Sequence, residues 1–324
     1  MFLPILKSLG IHHFFRWFIK ENLTILCLHQ ISNFDNSFFP PITPEKFEKL
    51  LIYLTKYYNI IHFNEISDNN NENKPNIILS FDDGYYDFIE YALPILRKYN
   101  VKSNHNIVNQ SVNTNEVIWS QKLNLFFENF KKESSINPIC SSLEKILNIK
   151  ITKCYNWFDL YHKIFLLLLK TEKNERDSIL NSFNTITLID LKSIKMMNWN
   201  DLKICLSENV EIGSHTYTHD SLITINDFDK LNFEINNSIK EINQKLDIKC
   251  NILSLPNGQY NENVVNYLKQ LNLKYILTVN DSINHINNFY DRIYMIQENT
   301  SSMQTRVELI PQTLRKWKNI ISRK

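Results

Sequence analysis

Ile77-Ile78-Leu79-Ser80-Phe81-Asp82-Asp83-Gly84 decides how the rest of the chain is read. A short apolar run bounded by polar and turn residues has the pattern of a buried strand. That strand delivers two adjacent carboxylates to its C-terminal edge, where parallel α/β folds collect catalytic groups. Gly84 lets the backbone turn tightly there, and it is one of only four glycines. Neighbouring strand residues point to opposite sides, so Asp82 and Asp83 need not share one task. Asp-Gly is also a common turn pair, and a solvated turn accounts for these residues equally well when they are taken alone.

Working outward, the chain alternates strands and helices. Residues 23–28 form an apolar run that ends at His29. Thr43-Pro44-Glu45 has the form of a helix start, with Thr as N-cap and Pro in the first turn. A helix over 85–98 and a strand over 101–108 follow the acidic strand. From about 119 to 195 strand signals fade and helical spacing dominates, which reads as an insertion. The rhythm then resumes with strands at 210–214, 252–255 and 275–279 and a long helix over 227–246. This alternation predicts parallel βα units.

Composition narrows the function. With 324 residues and 43% hydrophobic content, the chain is long enough for a sizeable core. The net charge of +2, with dispersed Lys and Arg, gives no pull toward nucleic acid. The five cysteines are odd in number and widely spaced, which fits free thiols in a reducing compartment. Residues 1–22 read as an amphipathic helix without a clean signal-peptide pattern. Packing on the domain is favoured there over lying on a membrane surface. The expectation is a cytoplasmic protein with peripheral membrane association as the variant. A basic helical tail spans 301–324.

A second chemical signal is Gly213-Ser214-His215-Thr216-Tyr217-Thr218-His219-Asp220. Two histidines four apart can meet one metal, and a strand-end carboxylate would supply a third ligand with coordination positions left open. Alone, the pair is no more than two surface histidines. A third signal, Leu255-Pro256-Asn257-Gly258, is by itself only a turn.

Together these stretches resemble the three motifs of the polysaccharide deacetylases, the NodB-homology or carbohydrate esterase family 4 enzymes. The resemblance covers about 23–118 and 196–297, within a catalytic domain spanning 23–300. It implies a deformed (β/α)7 barrel with a helical insertion. It also implies one divalent metal ion, Zn2+ or else Ni2+ or Co2+, held by Asp83, His215 and His219. Asp82 would be the general base, and Pro256 and Asn257 would sit at the oxyanion. The implied substrate is an N-acetylated glycan or glycan precursor. O-acetyl ester hydrolysis and a silent carbohydrate-binding homologue are the alternatives. The layout is similar to the poly-N-acetylglucosamine deacetylase subgroup, whose N-terminal strand-end histidine serves as general acid. That assigns the acid to His29, with His285 as the competitor. Family members often carry an arginine two residues before the proline of the third motif. Ser254 stands there, and Arg292 is the candidate replacement as partner of Asp82, with a structural salt bridge as the other reading. Trp119 and Tyr217 are candidates for a sugar site or for the core.

Overall fold

The computed structural model describes residues 23–34, 36–66, 74–152, 154–283 and 285–308. The helix expected over 1–22 and residues 309–324 of the expected tail lie outside them.

Seven parallel strands close into a ring. They are β1 (Thr24–Leu28), β3 (Asn76–Phe81), β4 (Ser103–Ile107), β5 (Val210–Ser214), β6 (Ile252–Ser254), β7 (Tyr275–Val279) and β9 (Phe289–Tyr294). They pair in that order, and β9 returns to β1. The short β2 (Asn59–Ile60) adds to β3, and β8 (His285–Ile286) runs antiparallel to β9. The ring is uneven. β1 and β3 share five registered pairs, whereas β5 and β6 share one, Ser214↔Leu253. This is the deformed (β/α)7 barrel.

Local chemistry sets the elements. In α1 (Pro44–Tyr57), Thr43 Oγ1 accepts from the Lys46 amide at 3.4 Å, and Phe47, Leu50, Leu51 and Leu54 are buried. That apolar stripe packs on the outer barrel residues Leu26, Leu79 and Phe81 in one continuous core. The helix expected over 85–98 begins later, as a π turn at Phe88–Ala92 followed by α2 (Leu93–Lys98). Tyr85 instead bridges to Met196. The long helix expected over 227–246 is α9 (Phe228–Asn232) and α10 (Ser238–Leu246), joined by a π turn at Phe233–Asn237.

Between β4 and β5 the chain leaves the barrel through α3 (Asn109–Thr114). It then builds α4 (Trp119–Glu133), α5 (Ile136–Leu147), α6 (Trp157–Leu169) and α7 (Lys173–Ser182). These last four helices have their own apolar cluster, including Phe126, Phe127, Phe130, Leu143, Leu160, Ile164, Leu168 and Phe183. Phe38, from the loop after β1, joins it and stacks on Tyr161 at 4.9 Å. The insertion therefore sits against the side of the barrel where the strands end.

Candidate metal centre and active-site cleft

A cleft of about 450 Å³ opens at the C-terminal ends of the strands. His29, Asp82, Asp83, His215, His219, Asn257, Arg292 and Tyr294 line the barrel side, and α6 supplies the facing wall through Phe158, Tyr161, His162, Phe165, Leu166 and Leu169. Residues from the ends of five strands and from one helix, far apart in sequence, thus share one space.

Asp82 and Asp83 part at the end of β3. Asp82 continues the strand alternation and turns into the barrel, where it is 2% exposed. Its Oδ1 accepts from Asn106 Nδ2 at 2.8 Å and Arg292 Nη1 at 2.9 Å. Its Oδ2 accepts from Arg292 Nη2 at 2.7 Å and Ser254 Oγ at 3.1 Å, with the Cys27 thiol at 3.7 Å. Arg292 completes its own set on Thr278 O, Ser80 Oγ and Ser254 Oγ, a fork geometry that lysine cannot copy. Ser254 is therefore a bridge: its hydroxyl accepts from Arg292 and donates to Asp82. The guanidinium that relatives would place two residues before Pro256 arrives here from β9. Burial by itself would raise the Asp82 pKa, but Arg292 and then His215 hold it far below the usual carboxylate range.

Asp83 leaves the strand in the left-handed region, with φ 79°, a conformation that Asp tolerates better than most residues. Gly84 follows with φ 86°, and its amide donates to His105 Nε2 at 3.2 Å. Asp83 Oδ1 then stands 3.4 Å from His215 Nε2 and 3.6 Å from His219 Nε2. These three buried groups are close enough to share one ion. Burial pushes the Asp83 carboxyl up, and His215 and its neighbours outweigh it, so the net shift is downward. His219 is driven down to about 3, chiefly by burial.

The donor set fits a divalent cation. His215 Nδ1 lies 2.9 Å from the Ser254 carbonyl, which can only accept, so this nitrogen carries the proton. Burial works against protonation of His215, but Asp82 and Asp83 outweigh it and raise its pKa. In the neutral ring that a metal ligand requires, Nε2 aims a lone pair at Asp83 Oδ1, a carboxylate oxygen that has no hydrogen-bond partner. Two buried acceptors facing one another are unfavourable unless a positive charge lies between them. A carbonyl behind a ligand histidine is also the usual orienting contact in metal sites.

The loop that returns His219 to Asp83 is held by Glu234, from the π turn. Its carboxylate accepts from the Thr218 amide at 2.9 Å and from Thr218 Oγ1 at 2.6 Å.

His29 follows β1 directly. Its ring meets Phe39 edge-on at 5.2 Å and Tyr294 at 5.5 Å. Side-chain atoms of Cys27, His29 and Asp82 lie within 4.8 Å of one another. Burial lowers the His29 pKa, with Asp83 and Asp82 opposing. The competitor His285 lies elsewhere, its Nε2 3.0 Å from the Leu23 carbonyl. Leu23 and His29 bracket β1, so the two histidines are at opposite barrel ends, roughly 20 Å apart along the strand.

Asn257 lines the cleft, and its Nδ2 is buried without a hydrogen-bond partner. Pro256 is buried behind it, outside the cleft lining, and has no N–H to offer. Its part is to shape the turn. Gly258, at φ 66°, packs where a Cβ would meet the Val279 amide nitrogen at 2.6 Å. Trp119 is 4% exposed and stacks behind Phe165, and Tyr217 packs on Phe233 at 4.6 Å. Both belong to packing rather than to the cleft lining.

Sequence reasoning missed Cys27, Ser80, His105 and Asn106. It also missed the apolar roof from α6, although Phe158, Tyr161 and Phe165 stand at helical spacing in the expected insertion.

Comparison with known proteins supports one reading. Residues 170–276 match the sequence profile of a family described as polysaccharide deacetylase. That segment contains the second and third motifs but not Asp82 and Asp83. A search of curated proteins found no match. Among solved structures, the chain is similar to the Streptococcus pyogenes deacetylase PplD in complex with acetate. The two share 16% identity with a TM-score of 0.58, covering 89% of this chain and 98% of the other. It is also similar to IcaB from Ammonifex degensii, at 12% identity and TM-score 0.57, covering 89% and 97%. A de-N-acetylase from Aggregatibacter actinomycetemcomitans gives 17% identity and TM-score 0.54, covering 88% and 99%. At these identities the structural likeness establishes the fold. The matched segment is thus similar to the polysaccharide deacetylase family, and the barrel shares its fold with solved deacetylases.

Proposed function

We propose that this protein is a metal-dependent hydrolase that removes N-acetyl groups from the amino sugars of a glycan or glycan precursor. The observation that carries this is Asp83 Oδ1, buried, unpartnered and faced by two imidazole nitrogens, beside a second carboxylate kept ionised by Arg292. Binding a sugar without reacting requires no such pair of differently held carboxylates. Asp83, His215 and His219 would hold a divalent cation, Zn2+ being the first candidate, and that ion would supply Lewis acidity to the reaction.

The remaining chemistry is assigned to the chain's own groups. Asp82, fixed by Arg292 and Asn106, accepts the proton that water gives up as its oxygen bonds to the acetyl carbon. Its low pKa keeps it always ready to accept and never strongly basic, so the proton does not stay. His29, resting neutral, takes that proton within the same cluster and delivers it to the leaving nitrogen as the C–N bond breaks. Acetate and a free amine result. Asn257 Nδ2 offers an N–H to the oxygen that gains charge on the way. The wall from α6 excludes water from the side opposite the barrel.

The test is acetate release from a panel of N-acetylated and O-acetylated sugars and oligomers, with and without chelator, using wild type and Asp82→Asn. The expected result is chelator-sensitive release from N-acetyl substrates, reduced by about 10²- to 10⁴-fold in Asp82→Asn. Release that ignores chelator would overturn the metal assignment, and release from O-acetyl esters alone would overturn the substrate assignment.

A further inference from the structure

Arg176 belongs to α7 in the insertion and lies outside the cleft lining, yet it is 1% exposed. A guanidinium is expensive to bury, and such groups persist where their hydrogen bonds fix something in place. Its Nη2 donates to Asp220 Oδ1 at 2.6 Å, and Asp220 is itself buried. Asp220 is the residue immediately after His219. The same Oδ1 accepts from the Ser221 amide at 2.7 Å, so one carboxylate oxygen joins the insertion to the turn that ends the metal-ligand loop.

That loop needs outside support. Thr216 and His219 both lie in the left-handed region, at φ 68° and 59°. For residues other than glycine, such a conformation is strained and persists only where the surroundings over-determine it. From the barrel side, Glu234 holds Thr218. From the insertion side, the contact is Arg176 on Asp220. Arg176 also lies over the Trp119 ring at 4.8 Å, and Trp119 stacks on Phe165 at 5.4 Å. Phe165 is part of the cleft wall. A continuous line of contact thus runs from the His219 turn to the roof of the cleft.

We propose that Arg176 is a positioning residue for the metal centre. Through Asp220 it holds His219 in its strained backbone conformation, which makes the helical insertion part of the metal site rather than an appendage. The proposal rests on the reading of Asp83, His215 and His219 as ligands.

Zinc affinity measured by competition with a chromogenic chelator tests it, on the full chain, with thermal unfolding recorded alongside. The variants are Asp83→Ala, Asp220→Asn and the double Arg176→Met/Asp220→Asn. The double variant leaves no lone buried charge, and Asn can still accept from the Ser221 amide. Asp83→Ala should abolish stoichiometric zinc binding. Asp220→Asn and the double variant should fold and bind zinc about 10- to 100-fold more weakly, the range for partners that orient ligands. The double should be no weaker than the single, because both remove one contact. If the folded variants bind zinc within threefold of wild type, Arg176 is a packing residue and the proposal fails. If wild type and Asp83→Ala bind alike, the ligand reading fails, and this proposal fails with it.

Discussion

Two interiors meet at the cleft, and they are built from opposite chemistry. Beneath Asp82 the barrel holds Ser80, Asn104, Asn106, Ser254 and Arg292, all fully buried. Ser80 Oγ donates to Asn104 Oδ1 at 2.8 Å and accepts from Asn106 and Arg292, and Arg292 also donates to Ser254. On the other side of the cleft, the insertion buries Phe127, Phe130, Leu143, Leu160 and Ile164 just as completely, and the contacts among these side chains have no direction. A polar interior of this kind fixes angles, because every unmet hydrogen bond is costly. An apolar interior mainly fixes volume. The difference sets the two apart at the cleft: the barrel interior aims Asp82, and the apolar cluster of the insertion backs the wall, while Arg176 reaches out of the insertion to Asp220.

Removing the centre of the polar interior should have the largest effect. Arg292→Met leaves the Asp82 charge buried beside Ser254 and Asn106, and should cost about 3–5 kcal/mol of stability together with nearly all activity. Urea unfolding and acetate release measure the two. Adding Asp82→Asn to it should restore much of the stability and none of the activity. A loss below about 1 kcal/mol for Arg292→Met would mean that the barrel interior tolerates an orphan charge, and the contrast with the insertion would fail.

His105 extends the contrast to pH. It is buried between Phe81 and Phe88, and its Nε2 accepts from the Gly84 amide at the turn that carries Asp83. Burial drives its pKa down to about 4, against 6.5 for the free side chain. Between those two values the unfolded chain binds a proton that the folded chain refuses. Stability contributed by this residue is therefore complete above about pH 6.5 and lost as pH falls toward 4, by roughly 3 kcal/mol in all. His105→Gln should flatten that part of the curve in urea unfolding at pH 7, 6, 5 and 4.5. An unchanged slope would place the acid sensitivity elsewhere.

How far these interiors were legible in the sequence follows from the same contrast. β1, β3 and β7 announce themselves because runs such as Ile25–Leu28 are continuously apolar, as buried parallel strands require. Asp83, His215 and His219 stood out through the joint occurrence of their motifs, and the structure brings the three within reach of one another. β4 falls within the strand expected over 101–108, but it reads Ser-Asn-His-Asn-Ile and is fully buried, which its four polar residues do not announce. Its partners lie dozens to more than a hundred positions away, at Ser80, Phe81 and Glu211, and periodicity records only how a residue partitions without partners. β9 hides for the same reason, with Arg292 at its centre. Glu234 and Arg176 were invisible because a helical charge is ordinarily a solvated one.

Gly213 tests the fit of the polar interior at smaller cost. A Cβ there would lie 2.1 Å from Asn106 Oδ1 and 3.0 Å from Ile252 Cγ2. Asn106 would have to move off Asp82, giving up the 2.8 Å bond from its Nδ2. Gly213→Ala should cost about 2 kcal/mol, in the range for overpacking, and should lower kcat more than it raises KM. A variant with wild-type kcat would show that Asn106 is dispensable for holding Asp82.

The smallest effect is expected where the interior has no direction to lose. Leu168 is fully buried in the insertion and packs in its aromatic cluster. Methionine has nearly the same volume and adapts its shape, so Leu168→Met should cost less than about 1.5 kcal/mol and leave kcat unchanged. Asn106→Leu is the matching swap in the barrel. It keeps the bulk and removes the donor, so it should cost more than Leu168→Met and abolish most activity although Asn106 is no metal ligand. Urea unfolding and steady-state acetate release on the two variants give the comparison directly. If both swaps prove equally mild, the barrel interior is held by volume as the insertion is, and the aim of Asp82 must come from Arg292 alone.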